Sequence, residues 1–426
     1  MKYVLWMGPV WPAQGVNMDV QKFLSAVACI LVLSACGKKS TESVFAENGA
    51  LDSSACMGQA VQNKFIVQWE DGKFTVESAK NAEEFKEKFI KPNLENIKQV
   101  EYDRIIQMDR FNEVTTSAVN DSWGQQTIKA DTLWSQGIYG QNIKVAVVDA
   151  YVDVTHPQIA PRIAINYGEI PNNGKDDDGN GYIDDYYGAA FVSNPGSTTT
   201  KSPHGTHVAG IIAADSSYGS VYGTAPRAQI IPAQFIANDG GGSLGDAVLA
   251  LQYAAARGAK IINASWGGAP CVASLRNAFQ QLEAKGILIV VAAGNDGRDV
   301  DVYPEFPASF NLSNQITVAA SSKSDFMTSW SNSGFTAVHV AAPGEQILST
   351  IPNNGTAYMD GTSMATPFVS GIAALLWSAK PNATAAQIKQ AILQSVDVTS
   401  GHEFKVSTRG RVNVQKALQV LNQLVP

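Results

Sequence analysis

Between residues 143 and 379 the chain alternates short apolar runs with longer segments of helical periodicity, and this alternation limits the possible fold more than any other feature. The runs 143–148, 229–236, 260–265, 287–293 and 315–320 lack the in-and-out polar rhythm of a strand with one wet face. Each therefore predicts a strand covered on both sides. Segments 208–214, 244–257, 274–284 and 364–379 predict helices between or after them. Strand, helix and strand in repetition is the pattern of an α/β fold, a doubly wound, mostly parallel sheet with helices on both faces. Such sheets bind ligands beyond the carboxyl ends of their strands.

Chemically able residues gather at those ends. Asp149 closes the first strand, Ser265 lies at the end of another, and Asn295 follows Ala292-Ala293-Gly294 just past a third. His204 opens His204-Gly205-Thr206-His207-Val208-Ala209-Gly210, which should start a helix after Pro203. His207 falls about one turn on and reads as structural. Ser363 lies within Gly361-Thr362-Ser363-Met364-Ala365-Thr366-Pro367, just before the apolar run 368–377. There it has an ordinary reading as a helix N-cap, which is compatible with a chemical role because the helix start directs its N–H groups at developing negative charge. A carboxylate, an imidazole, an amide and a hydroxyl are the parts needed to attack a carbonyl and hold the resulting oxyanion. Asp153 is a rival carboxylate, four residues beyond the strand.

In this order, the four segments resemble those of the subtilase (subtilisin-like, S8) family. The resemblance covers about residues 122–422 and includes Val340-Ala341-Ala342-Pro343-Gly344 and Gly410-Arg411-Val412-Asn413. It implies a serine endopeptidase acting on polypeptides, with Asp149, His204 and Ser363 as the triad and Asn295 in the oxyanion hole. It further implies that Gly240, Gly241 and Gly242, with Ser265, Trp266, Gly267 and Gly268, flank a bound peptide as extended strands. Ala293 and Gly294 help to wall the pocket for the residue before the cut. Apolar and glycine walls suggest broad specificity leaning towards large apolar side chains, while Asp299, Asp301 and Glu305 keep a basic preference open. The chain departs from the family at Ala150-Tyr151, where Ser or Thr and then Gly are usual. That departure keeps open an inactive peptide-binding pseudoprotease. A dedicated processing protease with few substrates is the rival within the enzyme class.

The stretch Asp176-Asp177-Asp178-Gly179-Asn180-Gly181-Tyr182-Ile183-Asp184-Asp185 packs five carboxylates and an asparagine together. Asp176, Asp178 and Asn180 at alternate positions, with a glycine for the turn, follow the first half of an EF-hand loop. Calcium is expected there, on Asp176, Asp178, Asn180, Asp184 and the Tyr182 carbonyl. No organic cofactor is expected. The net charge of −7, with no basic stripe, argues against a nucleic-acid partner.

The N-terminal third reads as processing and regulation. The apolar run 23–33 is too short to span a bilayer as a stable helix and follows a better start at Met18. Leu33-Ser34-Ala35-Cys36 resembles a bacterial lipobox, which makes residues 1–36 a signal peptide and Cys36 the site of a lipid anchor. Residues 37–62 read as a flexible tether. Residues 63–117 contain a strand (64–70), a helix (79–89) and an apolar stretch (105–108), a small α+β module that needs another surface to cover its sheet. Its position resembles the inhibitory, chaperone-like pro-domain of subtilases. Residues 118–426 form the catalytic domain. The expected location is the bacterial cell envelope, with extracellular release if a maturation cut falls near residues 112–122, and a monomer is expected. Cys56 and Cys271 either pair or stay as thiols.

Overall fold

The computed structural model describes residues 39–45, 59–107, 112–115, 121–192, 201–269 and 273–426. Met18, Cys36, Cys56 and Cys271 lie outside the described residues. Residues Thr41–Pro426 form one compact unit. Its centre is a nine-stranded sheet in the order Asp397–Val398, Gly410–Arg411, Val340–Pro343, Gln315–Ser321, Leu288–Ala292, Ile261–Ala264, Lys144–Asp149, Gln229–Gln234 and Ala189–Ala190. The pairs are parallel except that between Asp397–Val398 and Gly410–Arg411.

Strand pleating divides the core. Val145 and Val147 enter one apolar cluster with Val208, Ile212, Phe368 and Ile372. Ala146 and Val148 enter a second with Leu244, Val248, Leu251 and Phe279. Adjacent residues of one strand thus face opposite helix layers, as a two-sided apolar run requires. The helices His204–Ala213 and Thr362–Ala379 lie on the first face, with Leu244–Ala256 and Ala273–Ala284 on the second. This is the doubly wound α/β fold expected from the sequence.

The N-terminal module contributes the antiparallel strands Ala60–Trp69, Phe74–Ser78 and Ile97–Gln107. Its helix begins at Ala82, later than the predicted Ala79, because the Asn81 side chain caps the Glu84 N–H. One face of this small sheet buries Phe65, Val67 and Val100 against Phe85 and Ile90. The other sends Ile66, Phe74 and Ile106 into the core shared with Leu244 and Phe279. The missing cover is therefore the outer side of two helices of the large domain.

The tether expected over 37–62 needs correction at both described ends. Thr41–Val44 is a helical turn, and Val44 and Phe45 join the module's apolar cluster. The Phe45 ring meets Tyr102 edge-on at 5.5 Å, and the first strand already starts at Ala60. Polar composition suggested a free linker, but two apolar side chains fill the open face of the sheet.

Candidate active site

Asp149 is the last residue of its strand and is fully buried. Its Oδ1 accepts from His204 Nδ1 at 2.7 Å and from the Ala150 N–H at 2.6 Å. His204 is the first residue of its helix, as predicted, and is also buried. The helix reaches Asp149 because Gly205 has no side chain. A Cβ there would stand 2.5 Å from the Ala150 carbonyl oxygen and 2.7 Å from that of Tyr151. Asp149 Oδ2 is buried with no hydrogen-bond partner among the described residues, beside the position where Ala150 replaces the family's usual hydroxyl. Asp153, the rival carboxylate, caps loops instead: it accepts from the Thr155 N–H and hydroxyl and from the Asn353 N–H.

Ser363 is the second residue of the Thr362–Ala379 helix, and Gly361 holds the cap position where the sequence had suggested Ser363 itself. The backbone enters the helix two residues early, so the hydroxyl is released from capping. Ser363 Oγ instead donates to the Ser265 carbonyl at 2.9 Å, and Ser265 Oγ returns a bond to the Ser363 carbonyl at 2.9 Å. Asn295 is oriented from the same helix start. Its Oδ1 accepts from both the N–H and the hydroxyl of Thr362, each at 2.9 Å. This fixes which end of the amide can donate: Nδ2 lies 3.8 Å from a Cβ built on Gly361. Thr362 Oγ1 also accepts from the Gly294 N–H at 3.2 Å. Sequence spacing held no sign of Thr362 as the residue that aims Asn295.

The substrate-edge residues are only partly as expected. Gly241–Ser243 is a strand, but Gly240 forms the turn before it, with φ +85°. Trp266 is buried, with its indole donating to the Val148 carbonyl and packed on Phe235, so only its backbone is available to a peptide. The exposed edge is already occupied by the chain itself. Ile105, Ile106 and Gln107 pair antiparallel with Ser243, Gly242 and Gly241. The Gln107 carbonyl oxygen lies 3.6 Å from a Cβ built on Gly268, so this segment runs between the two predicted walls. Five residues on, Asn112 pairs with Asp360, three residues before Ser363.

Two carboxylates of that same inserted strand meet helix N-termini of the large domain. Asp103 accepts from the Gly245 N–H at 2.8 Å, and Glu101 accepts from the N–H and hydroxyl of Ser274. Burial raises both carboxyls above their ordinary range, against the lowering effect of those bonds. Burial likewise holds His207 far below its ordinary value, at about 3, while its Nε2 lies 3.0 and 3.1 Å from the Ile347 and Ala357 carbonyl oxygens. His207 is structural, as expected.

A model of the subtilase family matches residues 140–417. The chain belongs to the subtilase family. It is 36% identical over 298 residues to thermitase of Thermoactinomyces vulgaris, covering 70% of this chain and 95% of that one. It is 38% identical over 301 residues to a thermophilic serine proteinase of Bacillus sp. (strain AK1), covering 70% and 66%. Subtilisin E of Bacillus subtilis (strain 168) is 33% identical over 299 residues, covering 70% and 71%. This subtilase is accordingly a hydrolase, a serine endopeptidase acting on polypeptides. Among the described residues, no helix is long and apolar enough to cross a membrane.

The acidic loop departs from the EF-hand reading. Glu169, Asp178 and Asp185 bring one carboxylate oxygen each to within 4.8 Å of one another. Of the expected ligands, only Asp178 belongs to this group. Asp176 instead accepts from the Asn180 and Gly181 N–H groups, and Asp184 from those of Asn173 and Gly174. Asn180 Oδ1 accepts from the Tyr182 N–H, and the Tyr182 ring packs on Phe191 and Tyr253. Linear spacing assumed that every ligand comes from one turn. Here several loop carboxylates close turns, and Glu169 reaches in from before the loop. Glu169 is buried, and its Oε2 has no hydrogen-bond partner among the described residues. Hard oxygen donors around an unpartnered buried carboxylate oxygen fit a calcium-type cation.

Proposed function

We propose that this subtilase is made as a self-processing zymogen and cuts peptide bonds through Asp149, His204 and Ser363, with Asn295 as an oxyanion donor. The observation that carries this reading is the buried 2.7 Å contact between Asp149 and His204 beside a serine and an amide fixed by one helix start. In the proposed reaction the Ser363 hydroxyl leaves the Ser265 carbonyl, turns to His204 Nε2 and gives up its proton as it attacks the scissile carbonyl. Asp149 holds the imidazole by Nδ1 and supports its positive charge. Asn295 Nδ2 and the Ser363 N–H meet the oxyanion. His204 then protonates the leaving amine, and a water molecule repeats the sequence on the acyl-enzyme.

The strand Ile97–Gln107 on the Gly241–Ser243 edge supports residues 63–117 as an inhibitory pro-domain, because β-augmentation there excludes a substrate. Gln107 pairs with Gly241 on the substrate edge, and Asn112 pairs with Asp360, three residues before Ser363. We take the maturation cut to lie between residues 107 and 112 rather than within 112–122. Calcium is proposed as a structural cofactor on Glu169, Asp178 and Asp185. A lipid on Cys36, release from the envelope after the cut and a monomeric mature enzyme complete the reading.

The test is intact mass over time for protein expressed from residue 37 with calcium, wild type beside Ser363→Ala. Loss of the N-terminal fragment by the wild type alone, with a new N-terminus between residues 108 and 112, is the expected result. Two chains that both fold, stay whole and fail to label with a fluorophosphonate would overturn it.

A further inference from the structure

Two backbone segments leave adjacent parallel strands and continue to the candidate nucleophile: Ser265–Gly268 after Ile261–Ala264, and Ala293–Asn295 after Leu288–Ala292. Each is tied to the helix start, Ser265 to Ser363 and Gly294 to Thr362. The gap between them is where the side chain preceding the cut must enter. Among the described residues, Glu305 bridges that gap. The Glu305 carboxylate accepts from the Gly268 N–H at 3.1 Å on one wall. It also accepts at 2.7 Å from Asn332 Nδ2, which itself donates to the Ala293 carbonyl at 3.0 Å on the other wall.

The glycines report the same placement. A Cβ on Gly294 would lie 2.6 Å from both carboxylate oxygens of Glu305, and a Cβ on Gly267 would also collide with Oε1. Gly294 has φ +101°, a conformation that L side chains rarely adopt. Both walls are thus bare where the carboxylate lies. The Glu305 backbone is fixed too: its N–H donates to Ser309 Oγ, and the next carbonyl, Phe306, accepts from Ala269 at 3.0 Å.

We propose that Glu305 is a specificity-determining residue that makes this pocket select lysine or arginine before the cut. The Gly268 and Asn332 donors hold the carboxylate in place between the two walls. A cationic side chain entering from Ser363 meets that charge in a half-enclosed gap, where Coulomb attraction exceeds its value in bulk water. The apolar preference suggested by the wall composition gives way to the basic one. This inference rests on the protease reading above.

The test measures kcat/KM on the full chain after its own maturation. Peptides differ only before the cut: lysine, its uncharged isostere norleucine, arginine and phenylalanine. Fluorophosphonate labelling of Ser363 is followed in parallel. Lysine should exceed norleucine by roughly 10- to 100-fold, the scale of a partly desolvated charge pair. Glu305→Gln should remove most of that ratio while Ser363 still labels. Norleucine or phenylalanine cut as well as lysine by a labelled enzyme overturns the pocket assignment and leaves the protease intact. Absence of both labelling and cleavage overturns the two together. The lysine-to-norleucine comparison needs no variant, so a misfolded Glu305→Gln does not obscure it.

Discussion

Gly205→Ala sets two known effects against each other. Within a helix, alanine is favoured over glycine by about 1 kcal/mol. Against this, the new methyl would stand 2.5 Å from one backbone oxygen and 2.7 Å from the next, at Ala150 and Tyr151. Ordinary carbon–oxygen contact needs the helix and the loop to part by roughly 0.5–1 Å, and overpacking of this kind costs about 1–3 kcal/mol. The net change is a loss of about 0–2 kcal/mol. Parting these elements also stretches the 2.7 Å contact between His204 and Asp149, because Asp149 adjoins Ala150 and His204 adjoins position 205. A displacement near 1 Å in a catalytic group costs on the order of 10²-fold in rate. The stability term is read from urea unfolding in a Ser363→Ala background, which prevents self-digestion. The catalytic term is the rate of fluorophosphonate labelling with Ser363 present. A variant as stable as its parent that labels at the same rate would refute the close-approach argument.

Two further outcomes follow from buried groups. Burial holds His207 and His339 at about 3, His339 with the Lys389 charge adding to the effect. Their folded values lie below the unfolded value near 6.5, so each contributes stability fully above that value and loses it as pH falls towards 3, by up to about 1.4 kcal/mol per unit. Glu101 and Asp103, raised by burial, act in the opposite sense. His339→Asn keeps an acceptor for the Thr317 N–H and should reduce the slope of urea stability between pH 6 and pH 4 by about one proton; an unchanged slope would contradict this. For the acidic loop, calcium at 100 times its dissociation constant should stabilise the parent by about 2.7 kcal/mol. Glu169→Gln should lose that gain while Asp176→Asn retains most of it, and the reverse order would restore the linear EF-hand reading.

The sequence was most legible where one dimension suffices. Val145–Val148 reads as a doubly buried strand because its neighbours on both faces are apolar helices, and strand pleating makes that visible in composition. Asp149, His204, Ser363 and Asn295 could be picked out because each sits at an element end in a distinctive local run. What the sequence hid depends on contacts distant along the chain. Glu305 stands level with Asp299 and Asp301 in the sequence, and only the fold brings its carboxylate to the Gly268 N–H and beside the bare Cα atoms of Gly267 and Gly294. Phe45 looks like linker until Tyr102 and Phe65 are folded beneath it. Glu169 precedes its loop, whereas Asp176 and Asp184, which have the better spacing, are used by local N–H groups. Ser363 shows a subtler limit: moving a helix start by two residues changed what its hydroxyl bonds.

Ile105–Gln107, paired with Gly241–Ser243, and Asn112–Thr115, paired with the strand that ends three residues before Ser363, belong to one continuous chain. In the zymogen proposed above, the blocking segment cannot be diluted away while that chain is whole: covalent linkage would set its effective concentration, which is millimolar for short connections whatever the amount of protein present. Cutting between them turns the blockade into an ordinary two-body equilibrium. Restraint then depends on crowding. The same cleaved pair would stay silent in a confined space and become active on escape into a large volume, so dilution itself would serve as the trigger.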